Sequence, residues 1–249
     1  MAIKLNTTKH SMARKLVTKT KLAIHIDRAI ETAGDFEWTY KHEAKKGDDA
    51  WHPSGDCTPT PRELFDKACG KEEKDPIGAG LRKTFQVGHF WHGYLQHVVV
   101  ELLGYADWDA IERGGQKVWA EENGKPKSYN WCQGSADIAP VKIPGQGEFL
   151  VDFKTMGSFD FKKTSLPDWS AAKYEAQMNI YMDFFDLDQA IIVAINKDSP
   201  HELKEFIFDR NQPLIDTIYN KWHYVSECLD TGKIPDAAEE WELPIRGSL

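Results

Sequence analysis

The feature that most constrains this 249-residue chain is the segment Gly147–Lys154, GEFLVDFK. Alternate residues of a strand point to opposite faces. Phe149, Val151 and Phe153 therefore share one face, and Asp152 and Lys154 share the other. An apolar triplet of this kind belongs to a sheet packed on a core. A carboxylate and an ammonium interleaved with it are costly unless they are paired or line a site. The tripeptide Asp-Phe-Lys recurs at Asp160–Lys162, and the looser pattern of an acid two residues before a lysine occurs five times in the chain, so context has to choose. The second copy follows Gly157-Ser158 and precedes Lys163 and Pro167, which reads as a loop entering a helix.

Hydrophobic periodicity predicts the elements around this strand. Residues 11–33 read as a helix opened by Ser11, with Met12, Leu16, Ala23, Ile26 and Ile30 on one stripe. Residues 41–61 read as loop, followed by a short helix at Arg62–Cys69 and a turn-rich connection over 70–80. The longest helical signal covers 81–104 and closes on Gly104, a C-cap residue. Strands are expected at Lys117–Glu121, Tyr129–Ile138 and Glu148–Phe153, then a helix at Trp169–Phe185 and an apolar strand over 190–196. A strand at Leu203–Phe208 forms a hairpin with the last, and an amphipathic helix covers 211–231. The order helix, three strands, helix, strand predicts an α/β fold with a central mixed sheet flanked by helices.

Composition narrows the function classes. With 41% hydrophobic and 28% charged residues, no apolar run of membrane-spanning length and no signal-peptide hydrophobic stretch, the expectation is a soluble, cytoplasmic protein without a membrane partner. Cys57, Cys69, Cys132 and Cys228 are scattered without a C-x-x-C pair, which fits a reduced compartment and argues against a compact zinc site. The net charge of −8 argues against a protein that coats nucleic acid nonspecifically. Between Lys4 and Arg28, however, seven basic residues stand against the single acid Asp27, so local basic tracks coexist with an acidic total.

A divalent cation needs several oxygen ligands. Asp137 lies 15 residues before Asp152 on the neighbouring strand, and a hairpin brings both carboxylates to one edge. Beside Gly134, Ser135 and Ala136 a metal and the backbone can come close; the alternative is that Asp137 caps a turn. Gln177 and Tyr181 share a helix face one turn apart, as groups that orient a lysine or hold a phosphate, or as a tyrosine bonded one turn back. Gly88-His89-Phe90-Trp91-His92 places two imidazoles in the long helix, as ligands or as structural histidines.

Taken in order, Gly88 and His92, then Asp137, then Asp152 and Lys154, then Gln177 and Tyr181 resemble the motifs of the RecB-type branch of the PD-(D/E)XK nucleases, which includes phage recombination and CRISPR-adaptation exonucleases. The motifs span residues 85–185, and the αβββαβ order is similar to that family's restriction-endonuclease-like core. The resemblance implies a Mg2+- or Mn2+-dependent DNA nuclease, acting as an exonuclease on single- or double-stranded ends in recombination, repair or phage DNA processing. It implies metal ligation by His92, or His89 for another helix phase, with Asp137, Asp152 and the Phe153 carbonyl. Lys154 would position or deprotonate the attacking water and stabilise the charge developing on phosphorus, and Gln177 and Tyr181 would orient Lys154 or contact the DNA backbone. Arg62, Lys162, Lys163 and Lys173 are the expected DNA contacts. Iron–sulfur members carry one upstream cysteine and three near the C-terminus; here only Cys228 lies downstream, so no cluster is expected. One nuclease domain over 1–249 is expected: a basic helical extension at 1–50, the core at 51–210, and a C-terminal helix and tail. A homo-oligomer or a recombination partner protein is the further expectation, in the host cytoplasm if phage-encoded. The competing reading keeps the fold but acts by binding DNA ends or a partner, as an accessory or inhibitor.

Overall fold

The computed structural model describes residues 21–33, 49–71, 79–165, 170–237 and 241–244. In chain order the elements are α1 (Leu22–Ala33), α2 (Pro53–Asp56), α3 (Pro61–Ala68) and α4 (Ala79–His97), which runs into a π-helical turn at Val98–Leu102. There follow β1 (Ile111–Val118), β2 (Glu121–Glu122), β3 (Lys125–Pro126), β4 (Trp131–Ile143) and β5 (Gly147–Met156). The remainder is α5 (Ser158–Lys163), α6 (Ala172–Phe185), β6 (Gln189–Asn196), β7 (Leu203–Asp209) and α7 (Gln212–Thr231).

Five strands form one mixed sheet in the order β1-β4-β5-β6-β7, while β2 and β3 make a separate small ribbon. All neighbours in the large sheet are antiparallel except β5 and β6. A parallel pair needs a long crossover, and α5 and α6 provide it. Phe149, Val151 and Phe153 of β5 pack with α1 and α4 in one core, as strand phase requires. Leu150 and Met156 pack with Met178, Tyr181 and Met182 of α6 on the opposite face. A third layer, with Trp51, Leu64, Ile180 and Trp222, joins α2, α3 and α7 to the outer side of α6. The helices thus flank the sheet on both faces, the expected α/β architecture.

Local chemistry explains several boundaries. Thr60 and Glu63 form a reciprocal capping box at the start of α3, with Pro61 in the first turn, where a missing N–H costs nothing. Gly104 takes a φ of +64° and closes the segment begun by α4, as its residue type suggests. The glycines of β1 and β4 serve packing instead. A Cβ on Gly115 would stand 2.6 Å from Phe184, and one on Gly134 would stand 2.7 Å from the Tyr181 ring. These two bare positions let α6 lie close on the sheet.

The structure departs from the sequence expectations at four places. The strand expected at Lys117–Glu121 lies at Ile111–Val118, where Gly114-Gly115 and scattered charge hide a paired strand from periodicity. The expected loop over 41–61 contains α2, and its residues 41–48 lie outside the described residues. The second Asp-Phe-Lys, expected in a loop, lies in α5, anchored by the buried Phe161. The helix expected from Trp169 begins at Ala172, with 166–169 outside the described residues, as are 11–20 of the N-terminal helix. Among the described residues no helix is long and apolar enough to cross a membrane.

Candidate active site

The site lies where β4 and β5 separate. Ile138 pairs with Val151, so Asp137 and Asp152 follow on adjacent strands beyond that pair. There the Asp137 Oδ2 accepts the backbone N–H of Phe153 at 2.6 Å. The same oxygen lies 3.2 Å from His92 Nδ1 on α4. Asp152 Oδ2 lies 2.5 Å from Lys154 Nζ, two residues along β5. Asp137 thus reaches toward α4, and Asp152 sits beneath α6.

Burial and charge act against each other here. Burial alone would hold Asp137 up, but the His92 charge and hydrogen bond outweigh it and keep this carboxylate low. Burial pushes Asp152 up to about 6, against the pull of Lys154 and with the added repulsion of Asp137. Burial would lower His92, yet the charge of Asp137 raises it. Lys154 behaves likewise: desolvation opposes its charge, and Asp152 and then Asp137 raise it. Of the two carboxylates, Asp152 is the one its neighbours compensate less.

Asp152 is 2% exposed. Its Oδ2 is shut off from water, and the Lys154 ammonium 2.5 Å away is its partner among the described residues. A carboxylate held by one ammonium keeps lone pairs available for a further cation. Two carboxylates, an imidazole and nearby backbone carbonyls are donors suited to a hard or borderline divalent ion. Among the described residues, no three His, Cys, Asp or Glu side chains converge on one ion position as arranged. The donor set fits a divalent cation in chemistry, with Asp152 held in place by Lys154.

The remaining sequence-derived candidates divide. Gln177 Nε2 donates to Tyr181 OH at 3.3 Å, the one-turn bond that was the plainer reading of this pair. Neither hydrogen-bonds Lys154; the aromatic ring beside that ammonium is Tyr174, with its centroid 6.0 Å away. Gly134, expected to leave room for metal and backbone, makes room for Tyr181 instead. Phe153 buries its ring in the core and gives its N–H to Asp137. Lys163 and Lys173 line a cleft beside the site, whereas Lys162 faces Glu202 and is not among the cleft residues. Arg62 is paired with Asp66 on α3, in the third layer away from the carboxylates.

Two residues of the site escaped the sequence reading. Gln96 is buried one turn after His92, and its Nε2 donates to both the Asp137 carbonyl and Glu112 Oε1 at 3.2 Å. The signal was its i+4 position from His92. Tyr174 was readable as the residue preceding Gln177 and Tyr181 on one helix face. The cysteines also differ from the scattered impression: Cys57, Cys132 and Cys228 lie in one apolar cluster. Burial pushes the Cys57 thiol far up and that of Cys132 up to about 12, so both are protonated thiols at neutral pH.

No protein-family model matches the chain, and no curated protein matches it. Among solved structures, SSO0001 is 15% identical with a TM-score of 0.47, covering 84% of this chain and 87% of that one. An alkaline exonuclease from Laribacter hongkongensis is 12% identical with a TM-score of 0.46, over 74% of this chain and 90% of that one. A phage-related exonuclease from Haemophilus somnus 129PT is 14% identical with a TM-score of 0.32, over 91% and 89%. At these identities, and with TM-scores below 0.5, the likenesses carry no argument about this chain's chemistry.

Proposed function

We propose that the chain is a Mg2+- or Mn2+-dependent DNA nuclease of the RecB-type PD-(D/E)XK kind, hydrolysing phosphodiester bonds at DNA ends. The observation that carries this reading is the meeting of Asp137 with His92 and of Asp152 with Lys154 at the parting of β4 and β5. When bound, a divalent cation supplies an acidified water and neutralises charge on the phosphoryl oxygens. Asp137, Asp152, His92 and the Phe153 carbonyl are the residues that would hold it. Lys154, 23% exposed, places its ammonium where it can orient a water or stabilise charge developing on phosphorus. Asp152 holds that ammonium in place. Tyr174 stands beside the ammonium, and Gln177 bonds Tyr181 one turn along α6.

The test is a gel of end-labelled linear DNA, single- and double-stranded, with a closed circular control, in Mg2+, Mn2+ or EDTA. Metal-dependent loss of label from linear DNA alone is expected, and it should vanish in Lys154→Ala. Undiminished digestion by an Asp152→Ala/Lys154→Ala protein would overturn the site assignment. Tight DNA binding with no turnover in either metal would favour the binding-protein reading.

A further inference from the structure

The cleft beside Lys154 has a volume of about 610 Å³, and Lys163, Lys173, Lys197, Thr155 and Tyr174 are among its walls. Among the described residues three lysines and one carboxylate, Asp160, line it, with Asp160 3.6 Å from Lys163 and Asp198 beside Lys197. On a chain of net charge −8, that is a local reversal of sign. The cleft adjoins the candidate site through Tyr174, which is one of its walls and stands beside the Lys154 ammonium.

At its rim, α5 presents Phe159, 73% exposed, with Lys163 Nζ 4.0 Å from the ring centroid. Two residues on, Phe161 is buried and anchors the same short helix. The helix is held at both ends. The Ser158 N–H donates to Asp198 at 2.7 Å, and the Ser158 hydroxyl donates to Asn196 at 3.0 Å. Lys204 Nζ donates to the Phe161 carbonyl, Thr164 Oγ1 and Ser165 Oγ at 2.7, 2.9 and 2.7 Å. Phe159 is therefore displayed by a fixed platform, and packing among the described residues leaves it exposed.

We propose that this surface guides an unpaired DNA strand, with the lysines on successive phosphates and a base stacked on the open face of Phe159. The proposal deepens the nuclease reading, on which it rests for the fate of the bound strand, by naming single-stranded or frayed ends as the substrate class. The physical discriminator is the aromatic ring. Phosphates of either form of DNA meet lysines, but only an unpaired base has a free π face to lay on Phe159. Loss of one stacked base weakens single-strand binding by about tenfold or more.

Binding is measured without turnover, in EDTA, by fluorescence anisotropy of a labelled oligothymidylate and of a blunt hairpin duplex. Phe159→Ala should weaken oligothymidylate binding about tenfold and leave the duplex unchanged, while Phe159→Trp should retain the affinity. Lys173→Ala/Lys197→Ala should reduce the slope of log affinity against log salt by about 0.7 per lysine on the single strand. Unchanged single-strand affinity in Phe159→Ala, or an equal loss on the duplex, overturns the proposal. Stacking-dependent binding by a protein that cleaves no DNA in Mg2+ or Mn2+ would sink the nuclease reading and leave this surface assignment standing.

Discussion

The Asp137 carboxylate accepts the backbone N–H of Phe153 at 2.6 Å, where β4 and β5 part. One side chain thus satisfies a buried donor and also faces His92. The two duties separate by substitution. Asp137→Asn keeps an oxygen for the N–H but removes the charge, whereas Asp137→Ala removes both. Urea unfolding should place Ala about 1–3 kcal/mol below the parent and Asn nearer to it. Both should lose metal-dependent hydrolysis. Equal stability of the two variants would mean that the Phe153 bond contributes nothing.

Asp152 and Lys154 are a buried pair, and removing one partner strands the other. Lys154→Met alone should cost about 3 kcal/mol, because Asp152 is left buried with less to hold its charge. Asp152→Asn together with Lys154→Met should recover much of that loss. A double-mutant cycle by chemical denaturation measures the coupling. Additive single effects would contradict the pairing.

Gly134 and Gly114 are two strand glycines with opposite surroundings. A Cβ at Gly134 meets the Tyr181 ring, while one at Gly114 meets nothing within 4 Å. Gly134→Ala is expected to lose about 1–3 kcal/mol through overpacking and to shift Tyr181. Gly114→Ala should be neutral or slightly stabilising. Thermal melts of both proteins, with tyrosine fluorescence as a local probe, decide the matter.

Lys221, 1% exposed, donates to the carbonyls of Cys57 and Pro59 at 2.6 and 2.8 Å. Burial, which the charge of nearby Asp56 only partly offsets, brings its pKa down to about 8. A depressed base penalises the folded state fully below pH 8, and the penalty lifts as pH rises from the folded toward the unfolded value. Between pH 7 and 9.5 the parent should therefore gain about 2 kcal/mol relative to Lys221→Met. Urea titrations of both proteins at the two pH values provide the check. A gap that does not widen in the parent's favour would refute the shift.

Much of the layout was legible because it depends on local periodicity. The phase of β5, with Phe149, Val151 and Phe153 against α4, follows from alternation alone. The capping box of α3 and the close at Gly104 are equally local. What escaped depends on partners distant in the chain. β1 carries Gly114-Gly115 and little apolar pattern, and its pairing with β4 and its fit under Phe184 become apparent only after folding. In α5, six residues are too few for periodicity to announce a helix that Asp198 and Lys204 hold from outside.

The same division runs through the candidate site. The sequence by itself determined which charges share a strand face: Asp152 with Lys154, and Asp137 on the neighbouring strand. Only the tertiary structure decided that Asp137 turns to His92 and the Phe153 N–H, that Gln96 supports it, and that Tyr174 stands beside Lys154. The reason is physical. Strand phase is a backbone property with a period of two, written in neighbouring residues. Which donor meets a buried oxygen depends on side chains that long loops bring together.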